Sequence, residues 1–93
     1  MWYHEDMPTI VRLLEKARSS PASLRFGDLC RLVEAVGYVL ARTSGSHRIY
    51  LHGGQPELPI INLQRDRSGK AKPYQVRQVL RIVEENGLLQ EEE

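Results

Sequence analysis

Two short β-prone runs joined by a small-residue turn, with a third run close behind and a helical stripe on either side, leave this chain few folds. Residues 38–42 are β-prone, Thr43-Ser44-Gly45-Ser46 reads as a turn, and residues 47–52 alternate. Such a pair predicts a hairpin. Within the second run His47, Ile49 and Leu51 share one parity, while Arg48, Tyr50 and His52 share the other. Gly53-Gly54-Gln55-Pro56 reads as a second turn. Pro59-Ile60-Ile61-Asn62-Leu63 reads as a third strand, with Pro59 tolerated at its start or on an edge.

The flanking stripes have helical spacing. Leu29, Leu32, Val33 and Val36 follow the i, i+3, i+4, i+7 rule, and Gly37 stands where a C-terminal cap requires positive φ. Cys30 lies beside that stripe and reads as a small buried filler, since no neighbour in sequence would lower its pKa. Lys72-Pro73 opens a last helix with Pro73 at the first helical position. Its stripe is Val76, Val79, Leu80 and Val83, and Asn86-Gly87 stops it. Ahead of all this, residues 1–8 look irregular, with Asp6 as an N-cap and Pro8 suited to a first helical turn. Ile10, Val11, Leu13, Leu14 and Ala17 then predict a short extra helix ending at Ser19-Ser20-Pro21.

These elements predict an α+β fold of order α-β-β-β-α: a three-stranded antiparallel sheet with two helices on one face, plus the N-terminal helix. Ninety-three residues suffice for one such domain and one thin core. The expected segments are an N-terminal extension over residues 1–22, the main domain over 23–89 and an acidic tail over 90–93. That length excludes multidomain enzymes that enclose a large cofactor. No apolar run reaches the ~18 residues of a membrane helix. The acids near the start differ from a secretory signal, and a single cysteine weakly favours a reducing compartment, so the expected location is the cytoplasm.

The formal net charge of +1 conceals a strong asymmetry. Residues 1–41 are neutral overall. Residues 42–81 carry eight bases and two acids, a net of +6, and residues 82–93 carry five acids and no base. A basic block of that density suits a polyanion, because each neutralised phosphate releases counterions. The plain alternative is a solvated surface that happens to be basic. The acidic end reads as a solvated terminus.

No HExxH, paired CxxC or GxxxxGK[ST] pattern is present, so neither a metal nor another cofactor is expected. Attention falls instead on Ser44-Gly45-Ser46-His47-Arg48-Ile49-Tyr50, where a histidine leaves a tight turn inside the basic block. Gly45 and Ser46 lack bulk, so a large ligand can approach the backbone. Histidine exchanges protons near neutral pH, and adjacent cations stabilise charge on phosphate. A metal-free ribonuclease needs those features and access to a 2′-hydroxyl. Taken alone, a histidine in a strand is more often structural. His52 lies five residues on and points to the opposite face, so it is no partner for His47 in an acid/base pair. His4 reads as incidental.

The stretch Phe26-Gly27-Asp28-Leu29-Cys30-Arg31-Leu32, Gly37-Tyr38 and the Ser44 to Tyr50 turn resembles the HicA toxin family. Asn62-Leu63-Gln64, Gly69-Lys70-Ala71-Lys72-Pro73 and Tyr74-Gln75-Val76-Arg77-Gln78-Val79-Leu80 extend the resemblance to about residue 88. It implies a fold like that of double-stranded-RNA-binding domains and the activity of an mRNA interferase in a type II toxin–antitoxin pair. It also implies a metal-independent reaction, His47 as the catalytic residue, and a HicB-like antitoxin that covers the active surface and represses transcription. Two positions depart from the usual family pattern. A further histidine often follows the third strand's proline, where this chain has Pro59-Ile60-Ile61-Asn62. A glycine–threonine pair often opens the last helix, where this chain has Pro73-Tyr74.

The combined expectation is an endoribonuclease with His47 as general acid or base. Gly45 and Ser46 would admit the RNA backbone, while Arg48, Lys70 and Lys72 would contact phosphate. Tyr50 would pack at the core edge or stack on RNA, and Arg77 would lie on a helix surface or near the ligand. The alternatives are a non-catalytic RNA-binding module of the same fold, and a protein–protein module that uses the N-terminal helix.

Overall fold

The computed structural model describes residues 6–89, with side chains from residue 10 onward. Its elements are α1 (Asp6–Ser19), a 3-10 turn (Pro21–Ser23), α2 (Phe26–Ala35), β1 (Tyr38–Ser44), β2 (His47–His52), β3 (Ile61–Gln64) and α3 (Pro73–Glu85). The strands form one antiparallel sheet in the order β1-β2-β3. This is the expected α-β-β-β-α layout with a helix in front. The expected N-cap at Asp6 concerns a side chain outside the described residues, and His4 and the expected tail over residues 90–93 also lie outside them.

One face of the sheet is buried and the other is open. Tyr38, Tyr50, Ile61 and Leu63 point inward and join Leu29, Leu32 and Val33 of α2 and Val76, Val79 and Val83 of α3 in a single core. Burying such side chains stabilises the fold by about 1.5–3 kcal/mol each. Tyr50 is 0 % exposed, so it does not stack on RNA and the core reading of that residue holds. On α3 the buried set is Val76, Val79, Ile82 and Val83. Leu80 is only half-buried, because Ile82 rather than Leu80 turns fully inward.

Several boundaries differ from the sequence expectation. β1 runs on through Thr43 and Ser44, because both residues pair across to Arg48 and His47. The turn is therefore only Gly45 and Ser46. Gly45 at its first position has φ +62°, which is the pattern of a type II′ hairpin. β3 starts at Ile61, two residues later than Pro59. α1 already begins at Asp6, so residues 6–8 are helical and Pro8 sits in the first turn, where its missing N–H costs nothing.

The β1–β2 register shifts between Leu40 and Arg42, which leaves Ala41 as the extra residue of a bulge. Tyr38 and Leu40 share the inward parity of Tyr50 and His52. Beyond the bulge, Arg42 opposes Ile49 and Ser44 opposes His47, so both lie on the open face.

α1 packs on α2 and α3 through Leu13, Leu14 and Ala17. Val11 points away from that contact and is 48 % exposed. An ion pair from Arg18 Nε to Glu84 Oε2, 3.4 Å long, joins α1 to α3 at the surface. Such an exposed pair contributes little.

The loop from β3 to α3 is stitched down by backbone bonds. Ala71 N–H donates to Leu24 O (2.9 Å) and Phe26 N–H donates to Gly69 O (3.1 Å). Asp66 Oδ1 accepts from Ser68 N–H, Ser68 Oγ–H and Lys70 N–H. Those bonds, the Ser68 hydroxyl first, hold the Asp66 carboxyl below its ordinary pKa. The result is that the start of α3 lies beside the end of β3.

Candidate active site

His47 opens β2 immediately after the type II′ turn and lies on the open face. Its cross-strand partners are Ser44 on β1 and Gln64 on β3. Asn62, two residues before Gln64 and on the same face, reaches the ring diagonally. Its Oδ1 lies 3.0 Å from His47 Nδ1. Diagonal neighbours in a sheet are within reach of long side chains, which accounts for this contact.

A second group of bonds surrounds Gln64. Its Nε2 donates to Ser46 Oγ at 2.9 Å, and its Oε1 accepts from Lys72 Nζ at 3.0 Å. Its backbone N–H donates to Gln75 Oε1 at 3.1 Å. Gln75 is buried although polar, and this bond satisfies its carbonyl oxygen. The glutamine thus ties the turn, the edge strand and the start of α3 into one unit, with the Lys72 ammonium next to the residue opposite His47.

The structure brings Gly45, Ser46, His47 and Lys72 together. Gly45 is exposed, with open space around it. Arg48 does not join them. Strand alternation turns it toward the helices, and its Nε is buried without a hydrogen-bond partner among the described residues. Lys70 is exposed in the loop after β3 and pairs by a bridge with Arg25, with no bond to the Gln64 cluster. Sequence reasoning missed Asn62 and Gln64 as site residues. The available signal was their shared parity in β3, where two amides alternate with the buried Ile61 and Leu63.

The surroundings are cationic. Arg42 lies exposed on the same face as His47, and Lys72 donates to a neutral amide. Among the described residues the one ion pair is that of Arg18 with Glu84, so none of the bases of residues 42–81 is ion-paired there. Unpaired cations around a shallow, open face favour a polyanion.

The other nucleophile and base candidates are occupied. His52 lies on the inward side of the sheet. A carbonyl only accepts, so its Nε2–H donates to Val36 O (3.0 Å), while Nδ1 accepts from the N–H groups of Gly54 (3.1 Å) and Gln55 (3.0 Å). Both of its ring nitrogens hold up the structure. Cys30 is buried, and desolvation pushes its thiol above the ordinary range, against smaller lowering by Tyr50 and by the charge of Arg48. We expect folded protein to react with a thiol reagent at pH 8 at least ~100-fold more slowly than protein in denaturant, because the thiolate is the reactive form. Equal rates would show that the thiol is accessible. Among the described residues no group of three histidines, cysteines or acids is arranged to hold a metal ion, and no helix is long and apolar enough to cross a membrane.

Residues 26–84 match a protein-family model described as the HicA toxin of bacterial toxin–antitoxin systems. No curated protein and no solved structure gives a significant match. The matched span runs from the first residue of α2 almost to the end of α3 and leaves α1 outside it.

Proposed function

The chain belongs to the HicA toxin family, the toxin half of a bacterial toxin–antitoxin pair, and on that premise we propose that it is a metal-independent endoribonuclease acting on mRNA. The observation that carries the proposal is His47, on an open cationic face, with its Nδ1 engaged by Asn62 and Nε2 without a partner among the described residues.

The chemistry asks little of the protein because RNA supplies its own nucleophile. The 2′-oxygen attacks the adjacent phosphorus while its proton passes to His47. The bond from phosphorus to the 5′-oxygen breaks, leaving a 2′,3′-cyclic phosphate and a 5′-hydroxyl. A positioned general base is worth typically ~10²–10⁴-fold in rate. Lys72, held by Gln64, supplies positive charge for the phosphoryl oxygens as negative charge builds. The glycine–serine turn lets the backbone of the RNA approach. Lys70 adds a more distant phosphate contact.

The cognate antitoxin is a protein of HicB type that covers this face. Toward the end of β2 away from His47, the open side of the sheet carries Val39 and Leu51, 57 and 42 % exposed, and Ile60, 60 % exposed, lies just before β3. That row offers an antitoxin apolar area that RNA would not use. α1 packs on the helices, which leaves the open face free for either occupant.

The test is incubation of purified protein with a defined mRNA in EDTA, paired with expression in cells with and without the neighbouring small gene. Cleavage that persists in EDTA, and growth arrest relieved by the neighbouring product, are the expected results. Binding should weaken steeply with salt, and Lys72→Ala should flatten that slope by about one phosphate contact. Salt-dependent binding with no cutting would support a non-catalytic RNA-binding module instead. Affinity insensitive to salt would remove both nucleic-acid readings.

A further inference from the structure

We propose that Asn62 is the positioning residue of the site: it holds the neutral His47 ring in the Nδ1–H form, so that Nε2 is the base that takes the 2′-hydroxyl proton. The inference rests on the reading of His47 as the catalytic group and assigns the tautomer of its neutral ring.

An amide oxygen only accepts hydrogen bonds, so a hydrogen bond between the ring and Asn62 Oδ1, 3.0 Å away, requires the hydrogen on Nδ1. In a neutral imidazole the lone pair is then on Nε2. That nitrogen has no partner among the described residues. His52, at the other end of β2, is held in the reverse form. Its Nε2–H is spent on Val36 O, and its Nδ1 lone pair on two backbone N–H groups. On this assignment one strand carries two histidines held as opposite tautomers, and of the two His47 keeps a ring nitrogen without a partner among the described residues.

The identity of residue 62 points the same way. Asparagine is depleted in strands, where β-branched residues serve better on an open face. Asn62 is exposed in the middle of β3 and makes no other side-chain hydrogen bond among the described residues. Its fold contribution is therefore small, and a residue that opposes local propensity without structural return is a mark of function. A neutral amide also suits a base. It orients the ring without the negative charge that would hold the proton on His47 and repel phosphate. The charged groups about the ring are cations, Arg42 on the same face of β1 and Lys72 beyond Gln64, and its β3 neighbours Asn62 and Gln64 do not titrate.

The step balances within this arrangement. The bond from the 2′-oxygen to phosphorus forms as its proton moves to Nε2. The bond from phosphorus to the 5′-oxygen breaks, the leaving oxygen takes a proton from water, and the imidazolium releases its own proton to solvent.

Ring-nitrogen NMR and pH–rate profiles of wild type, Asn62→Ala and Asn62→Asp test the assignment. We expect the Nδ1–H form in neutral wild-type His47 and a shift toward Nε2–H in Asn62→Ala. That variant should lose ~10–100-fold in kcat with KM little changed, as for other orienting partners of a functional histidine. Asn62→Asp should restore Nδ1–H and move the acid limb of the kcat profile to higher pH, because the carboxylate favours imidazolium. A structural role alone would lower the melting temperature and leave that limb in place. An Nε2–H ring in wild type, or an Asn62→Ala enzyme with unchanged tautomer and kcat, would overturn the proposal. A wild type that never cuts RNA overturns the ribonuclease reading and the base role with it, while the ring spectra still decide whether Asn62 holds Nδ1–H.

Discussion

His47→Ala is expected to lower the rate of RNA cleavage by ~10²–10⁴-fold while the protein stays folded and continues to bind RNA. The separation of chemistry from stability follows from where the residue sits. His47 is only half-buried, on the open face, and its one side-chain bond is to the exposed Asn62. Its removal creates no cavity in the core and leaves no buried polar atom unpaired, so the stability change should be about 1 kcal/mol or less. Phosphate binding should survive, because Lys72 keeps its bond to Gln64. Single-turnover cleavage, a melting curve and a binding titration on the same preparation check the three parts. A loss smaller than ~10-fold would remove His47 from the catalytic role. A collapse of the melting transition would mean that its role is structural after all.

Gly37→Ala is expected to cost about 3 kcal/mol and to lower the melting temperature by ~12–24 °C for a domain of this size. Two effects combine at this position. The backbone has φ +108°, a conformation that strains any L side chain. A Cβ there would also press into His52 Nε2 and Cε1. The ring would have to leave, giving up its bond to Val36 O and the two bonds it accepts from Gly54 and Gln55. Its edge-to-face packing on Tyr38, with centroids 5.0 Å apart, would go as well. Each lost hydrogen bond is worth about 1 kcal/mol. His52→Ala should recover part of the Gly37→Ala loss, because it removes the clash and leaves only the strain. If the two losses simply add, the contact between them is not the cause.

The two histidines of β2 show how far local pattern carries. The alternation of residues 47–52 already separates His47 from His52 and groups Tyr50 with His52, and the structure keeps that separation and buries Tyr50. The same alternation places Arg48 with Tyr50, away from His47, so a phosphate role shared by His47 and Arg48 conflicts with the strand's own period. The resemblance to a toxin family rested on Phe26 to Leu32, Gly37-Tyr38 and the Ser44 to Tyr50 turn, extended by Asn62 to Gln64 and Gly69 to Leu80, and the family match covers all of them. Asn62 and Gln64 were visible only as an amide in the third strand and one just past its expected end, within a stretch that carried the resemblance. Nothing within a few residues says which partner an amide will meet.

Sequence alone determined the order of elements, most of the inward stripe of each helix, and the presence of a histidine at the head of a strand in a basic block. These features follow from periods of 2 and 3.6 residues and from turn chemistry, which act between near neighbours. Tertiary structure alone decided what surrounds that histidine. The Asn62 contact spans 15 positions, the Gln64–Lys72 bond closes the loop before α3, and the bulge at Ala41 turns Arg42 to the open face. The first and the last depend on strand register, and a register shift of one residue moves every following side chain to the other face. Local periodicity carries no information about that shift. It is set by long-range backbone bonds and by the packing of one sheet face against two helices.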